Sequence, residues 1–268
     1  MNSPSETLLL KESPAPGVLR VTMNAANRRN ALSERMLGEL LSAFSEAAGE
    51  PDVRVVILSA EGPAFSAGHD LKEIAEARAA LDGGEGYFKR LFDVCADLMQ
   101  CIVSNPKPVI AEVDGVATAA GCQLVASCDL AVCSEQSRFA TPGVNIGLFC
   151  STPMVALSRN IAHKHAMEML LGGNWIDADD AYRMGLVNRV VVDSELESTV
   201  LTLAEQIAAK SAMTVALGKR AFYEQSSMNL SDAYAFTAEV MVKNMMQHDA
   251  KEGIEAFLEK RSPHWQDR

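Results

Sequence analysis

The sequence predicts an α/β fold, and three observations carry that expectation. Short apolar, β-branched runs at 53–58 and 108–113 have the length and composition of buried parallel strands. Segments with helical spacing of apolar residues separate them. After Val192 the pattern turns helical and stays helical to about Arg261. Strand, helix, strand, short helix, strand implies layered α/β structure with right-handed crossovers. A chain of 268 residues is long enough for one large domain, or for a domain with an appendage.

Each element has a local reason. Residues 18–23 alternate and read as a strand, and 27–30 is a polar turn. Ser33 opens a helical pattern to about Ala48, with Met36, Leu37, Leu40, Leu41 and Phe44 on one face. Residues 71–81 read as helix, and Asp82-Gly83-Gly84-Glu85-Gly86 as a flexible break. A long helix over 87–103 is stopped by Asn105-Pro106-Lys107-Pro108. Residues 121–127 form a short helix and 129–133 a strand. Helices are expected at 194–210, 211–225, 230–248 and 252–261. A helical tail after an α/β core reads as a docking or assembly element, dividing the chain into 1–193 and 194–268.

Composition excludes several classes. The net charge of −11 argues against a nucleic-acid binder, which needs a basic footprint. It leaves room for a small anionic ligand, because a few local N–H groups suffice. No run approaches ~18 apolar residues, so no membrane span is expected. The first twelve residues show neither a secretion signal nor an Arg-rich transit pattern. A cytoplasmic location is expected, or an organellar matrix if a leader has been processed. The six cysteines form no CxxC pair and sit mostly in apolar runs, which reads as reduced and buried. Neither they nor the five histidines show metal-ligand spacing, so no metal is expected. There is no GxGxxG after the first strand and no GxxxxGK[ST].

Two stretches carry the chemistry. Residues 64–71 read Ala-Phe-Ser-Ala-Gly-His-Asp-Leu, and 115–123 read Gly-Val-Ala-Thr-Ala-Ala-Gly-Cys-Gln. Each follows a strand-like run and leads through small residues into a helical pattern. Such a junction leaves backbone N–H groups unpaired at a helix N-terminus. Two junctions aimed at one point would make an oxyanion hole from the main chain alone.

These stretches, in order and spacing, resemble the enoyl-CoA hydratase/isomerase (crotonase) superfamily over nearly the whole chain. The likeness runs through Asn30-Ala31-Leu32-Ser33, residues 65–73, residues 108–129 and Phe257-Leu258-Glu259-Lys260-Arg261. A closer likeness within the family runs through 121–129, 139–145 and 147–153. The resemblance implies a spiral of ββα turns and a helical C-terminal region that builds trimers, often paired into hexamers. It implies an acyl-CoA or enoyl-CoA thioester as ligand, with coenzyme A entering as part of the substrate and no separate cofactor. The N–H groups of His69 and Ala120 fall where the family holds the thioester oxygen. Ala67, Asp70 and Leu71 fall where it contacts the adenine, and Gly68 and Gly121 lie in the substrate-binding loops. Lys260 falls where a neighbouring subunit reaches the coenzyme's phosphate.

The sequence also departs from the family. Its hydratases use two glutamates to hold and activate water. Gln123 stands at the first of these positions and Gly143 at the second. Glutamine can position water through its amide but cannot usefully exchange a proton, and glycine can do neither. A positioned acid or base contributes ~10²–10⁴-fold, so losing both should nearly abolish standard hydration. Ala119-Ala120 also replaces the family's usual two glycines.

Replacement groups are few. The His69 imidazole titrates near neutrality, or else faces solvent or coenzyme while only its backbone acts. Asn145 and Ser151 lie in the segment that lines the acyl pocket in relatives, or serve turns and caps. Cys150 reads as a buried structural thiol. Glu112, Asp114 and Asp129 read as structural carboxylates. The expected function is an acyl-CoA-binding enzyme of this family with a backbone oxyanion hole and without the two glutamates. The alternatives are a weak hydratase and a non-catalytic acyl-CoA-binding or regulatory homologue.

Overall fold

The computed structural model describes residues 7–268. The N-terminal expectation therefore falls partly on residues 1–6, outside the described residues. The chain opens with β1 (Leu9–Ala15) and β2 (Val18–Met23), an antiparallel hairpin turning at Gly17. Helix α1 (Glu34–Gly49) follows, capped by Ser33 Oγ, which accepts from Met36 N at 3.1 Å. Its buried face is Met36, Leu37, Leu40, Ala43, Phe44 and Ala47.

Then come β3 (Val55–Ala60), α2 (Leu71–Ala77) and α3 (Glu85–Ser104). Helix α2 stops four residues before the expected end. Ala79, Ala80 and Gly83 donate to carbonyls three residues back, and Gly83 and Gly84 hold positive φ, so the helical ladder cannot continue. The next elements are β4 (Val109–Val113), β5 (Val116–Thr118), α4 (Ala120–Ser127), β6 (Leu130–Ser134) and β7 (Arg138–Ala140). After them lie α5 (Pro153–Asn160), α6 (His163–Gly172), β8 (Ile176–Asp177), α7 (Ala178–Met184) and β9 (Arg189–Val191). The tail holds α8 (Leu196–Ala208), α9 (Ala212–Gln225), α10 (Leu230–Met245) and α11 (His248–Glu259).

The strands form two sheets. The larger runs β1-β2-β3-β4-β6-β9, parallel except for the β1 edge. The smaller runs β5-β7-β8. Successive strands alternate between them, β4 then β5 before α4, β6 then β7 before the next helices. This alternation is the spiral of ββα turns that the family resemblance implies. Strands buried on both faces read as near-continuous apolar runs, and β3 and β4 do.

Helices α1, α3 and α4 cover one face of the large sheet, with Phe44, Phe65 and Phe139 fully buried. Helix α8 covers the other face, where Leu196, Val200, Ala204 and Ala208 pack on Val55, Ile57, Ile110 and Val132. All six cysteines are free thiols, five of them buried and Cys101 half-buried. Among the described residues no single helix is long and apolar enough to cross a membrane, and no group of three metal-ligating side chains gathers.

Candidate active site

The loop after β3 and the loop around β5 are zipped together by main-chain hydrogen bonds. Ser66 N donates to Val116 O at 3.0 Å, and Thr118 N donates to Ser66 O at 2.9 Å. Thr118 Oγ1 donates to Ala67 O at 3.0 Å. The fit requires glycine. A Cβ on Gly121 would lie 2.4 Å from Ser66 O. Gly68 holds φ +83°, and a Cβ there would lie 2.9 Å from Thr118 O and 3.2 Å from Ala120 N.

A polar turn supports the first loop from behind. Asn30 is fully buried at φ +48°, a conformation asparagine tolerates better than most residues. Its Oδ1 accepts from Ala25 N, and its Nδ2 donates to Glu61 O and Ala64 O, each at 2.8 Å. Ser66 Oγ donates to Asn30 O, and Ala67 N to Arg29 O. The 27–30 turn is thus the clamp that fixes loop one.

Gly68 closely approaches the start of α4, where a Cβ on it would lie 3.2 Å from Ala120 N. His69 follows Gly68, and Ala120 opens α4. Gln123 N makes the first turn's bond to Ala119 O at 3.0 Å, so the earlier amides of α4 have no intrahelical acceptor. Ala119 itself sits at φ +50°, ψ −117°, where an L side chain is strained. Its N–H donates to Ala140 O at 2.9 Å, which fixes α4 to the end of β7.

Around this point the sequence-predicted residues take defined places. Ala67 is half-buried, and Leu71 exposes its side chain. Asp70 caps α2, accepting from Lys72 N at 2.9 Å, and pairs with Arg28. Burial opposes its ionisation, but Arg28 and the α2 amides outweigh that and hold the carboxyl below its usual range. The His69 ring is half-buried. Its Nδ1 lies 3.3 Å from Leu32 O, and its ring packs edge-on against Phe92 at 5.4 Å. Burial lowers the imidazole pKa, against the pull of the Leu32 carbonyl. The ring is therefore neutral at pH 7.

Gln123 is buried beneath α3, its Oε1 4.0 Å from Cys95 Sγ. Burial pushes the Cys95 thiol up to about 12, so no thiolate stands there. Gly143 lies in a 3₁₀ turn over Pro142–Ile146. A Cβ on it would lie 2.8 Å from Leu148 O and 2.9 Å from Cys150 Sγ. The Leu148 carbonyl and the Cys150 thiol thus crowd this position. Burial raises the pKa of the Cys150 thiol as well.

Asn145 lies in the same 3₁₀ turn as Gly143. It is exposed, and its Nδ2 donates to Gly173 O at 3.3 Å, tying the turn to the end of α6. Ser151 is exposed and bonds Phe149 O. Asp129 accepts from Val109 N, Lys219 Nζ and Tyr223 Oη, and Glu112 pairs with Arg20, both structural roles. Asp114 accepts from Ser134 Oγ. Lys260 stands apart, exposed in a left-handed conformation at the end of α11.

Thr141, Phe92 and Cys95 escape sequence reading. Thr141 is fully buried with Oγ1 unpartnered, a tertiary property with no local signal.

The chain is thus a spiral α/β protein with two zipped strand-to-helix loops. The description "Enoyl-CoA hydratase/isomerase" matches residues 14–268, and the chain belongs to that family. Within it, the chain is 47% identical to mouse (Mus musculus) enoyl-CoA hydratase domain-containing protein 3, mitochondrial, over 98% of this chain and 86% of that one. The crystal structure of the human protein of that name superposes with TM-score 0.91 at 45% identity, covering 97% of this chain and 100% of that one. A Mycobacterium smegmatis enoyl-CoA hydratase structure superposes with TM-score 0.92 at 50% identity, covering 97% and 99%.

Proposed function

We propose that this chain binds an acyl-CoA thioester and polarises its carbonyl between the amides of His69 and Ala120, without being an efficient hydratase. The observation that supports this reading is the zipped pair of loops, in which Gly68, the residue before His69, closely approaches Ala120 N. Two N–H donors there favour an enolate-like oxyanion, and one such donor is typically worth ~3 kcal/mol. The same loops leave no carboxylate at 123 or 143, and the Gly143 turn leaves no room for one.

The reading needs no cofactor beyond the coenzyme A of the substrate. Ala67, Asp70 and Leu71 border the adenine end, with the Asp70 carboxylate already committed to Arg28 and the α2 cap. A homotrimer is proposed as the working assembly, with Lys260 reaching a neighbour's coenzyme phosphate. It is supported by large apolar side chains exposed on α9–α11, among them Phe222, Leu230, Tyr234, Val242, Met246 and Phe257. The mitochondrial relatives support an organellar matrix as one location.

Calorimetry with butyryl-CoA, paired with a crotonyl-CoA hydration assay, tests the proposal. Saturable binding with hydration at least ~10²-fold below that of a two-glutamate hydratase is expected. No heat of binding, or hydration at full hydratase rates, would overturn it. Binding without turnover of any thioester would leave the non-catalytic reading in its place.

A further inference from the structure

A main-chain amide stabilises a developing charge only if its direction is fixed beforehand. The His69 N–H belongs to the peptide that follows Gly68. Gly68 sits at φ +83° and has no Cβ to restrict its ψ, so that peptide swings unless something pins it. Two bonds hold the glycine. Leu32 N donates to Gly68 O at 2.8 Å, and Gly68 N donates to Ser66 Oγ at 3.2 Å. The peptide is trans, so the His69 N–H points opposite to the Gly68 carbonyl and away from Leu32. That N–H has no acceptor among the described residues. The His69 side chain returns to the same anchor, with Nδ1 3.3 Å from Leu32 O. A carbonyl only accepts, so Nδ1 carries the ring proton and donates it there. Leu32 thus grips residue 68 through its N–H and residue 69 through its carbonyl. Nε2 is buried without a partner, so Leu32 O is the ring's one hydrogen-bond partner among the described residues. Phe92, edge-on at 5.4 Å, buttresses the imidazole. Ala120 needs no such device, because Gln123 N bonds Ala119 O at 3.0 Å and the helix itself aims the Ala120 N–H.

We propose that the His69 imidazole is a positioning residue, fixing the direction of its own main-chain N–H through the bond from Nδ1 to Leu32 O. This rests on the reading above, in which that amide receives the thioester oxygen. In this role the ring exchanges no proton with substrate. It removes the freedom that Gly68 gives the peptide, so the amide is aimed before the ligand arrives and no reorganisation is needed on binding.

Difference infrared spectra of bound butyryl-CoA, labelled with ¹³C at the thioester carbonyl, test the role in three proteins. His69→Phe keeps the backbone amide and the ring that packs on Phe92 but lacks the Nδ1 donor. His69→Asn loses the ring but places an amide nitrogen close to where Nδ1 stands. The wild type is expected to lower the carbonyl frequency, and His69→Phe to lose roughly half of that shift, since one of two donors is no longer aimed. His69→Asn should restore the shift, which a role in packing alone would not do. Should His69→Phe not fold, His69→Leu, which matches asparagine in shape without a donor, makes the same comparison. A full shift in the folded variant that lacks the donor, or no restoration by asparagine, would overturn the positioning role. Absence of a shift in the ligand-bound wild type would overturn the oxyanion reading itself, and absence of binding the acyl-CoA reading, each taking the positioning role with it.

Discussion

Single residues decide which chemistry the loops can serve. At position 143 the obstacle to a glutamate is steric as well as chemical, because a Cβ meets the Leu148 carbonyl and the Cys150 sulfur. Gly143→Ala should therefore lower stability by about 1–3 kcal/mol, read by chemical denaturation. The double variant Gln123→Glu with Gly143→Glu should not gain hydration of crotonyl-CoA, and a gain would show that the turn yields easily. Ala119 carries the opposite problem, a side chain at a strained positive φ. Ala119→Gly should raise the unfolding free energy by about 1 kcal/mol, the relief of strain exceeding glycine's entropic cost. His69 adds a pH dependence. Its folded pKa lies below its unfolded value of 6.5, so the unfolded chain takes up the proton first as pH falls. Stability contributed by the neutral ring is complete above pH 6.5 and declines as the pH drops below it. His69→Phe should flatten that part of a stability-versus-pH curve, and an unchanged slope would place the ring in water.

At the scale of elements, the tail helices split into two kinds. Helix α8 is part of the sheet's packing, whereas α9 is held by a polar lock. Lys219 Nζ, nearly buried, bonds Asp129 Oδ2 at 2.7 Å and the carbonyls of Ile102 and Lys107. Tyr223 Oη bonds the other Asp129 oxygen at 3.0 Å. Lys219→Met removes one partner of a buried pair and should cost about 3–5 kcal/mol, seen as a lower melting temperature. The elements that the sequence makes legible are those with a strong period: α1, α3, the β3 and β4 runs, and the tail helices. Strands β5, β7, β8 and β9 are two or three residues long and owe their pairing to partners far away in the chain. No local pattern encodes such pairing. The site divides the same way. Glycines and small residues mark the loops in the sequence, but the Asn30 clamp, the contact of His69 with Leu32 and the orphaned Thr141 hydroxyl depend on tertiary packing.

At the scale of the whole molecule, the spiral core presents the loops and the helical tail presents an apolar surface. The C-terminal strand of chain folds back onto it. Asp249, fully buried, accepts from the amides of Gln266 and Asp267, and Trp265 Nε1 donates to Ala209 O. A groove of about 650 Å³ opens among α9, α10 and α11, lined by Val215, Met245, Ile254, Phe257 and Trp265. It lies on the tail and not at the loops. Val242→Asp with Phe257→Glu should shift the protein from trimer toward monomer in analytical ultracentrifugation, and a monomeric wild type would contradict the proposed assembly. In the proposed function, two main-chain amides polarise a thioester carbonyl. Difference infrared spectroscopy of butyryl-CoA labelled with ¹³C at the thioester carbonyl measures it directly. A shift of that carbonyl stretch to lower frequency on binding is predicted. A bound ligand whose carbonyl band stays at its position in water would contradict it.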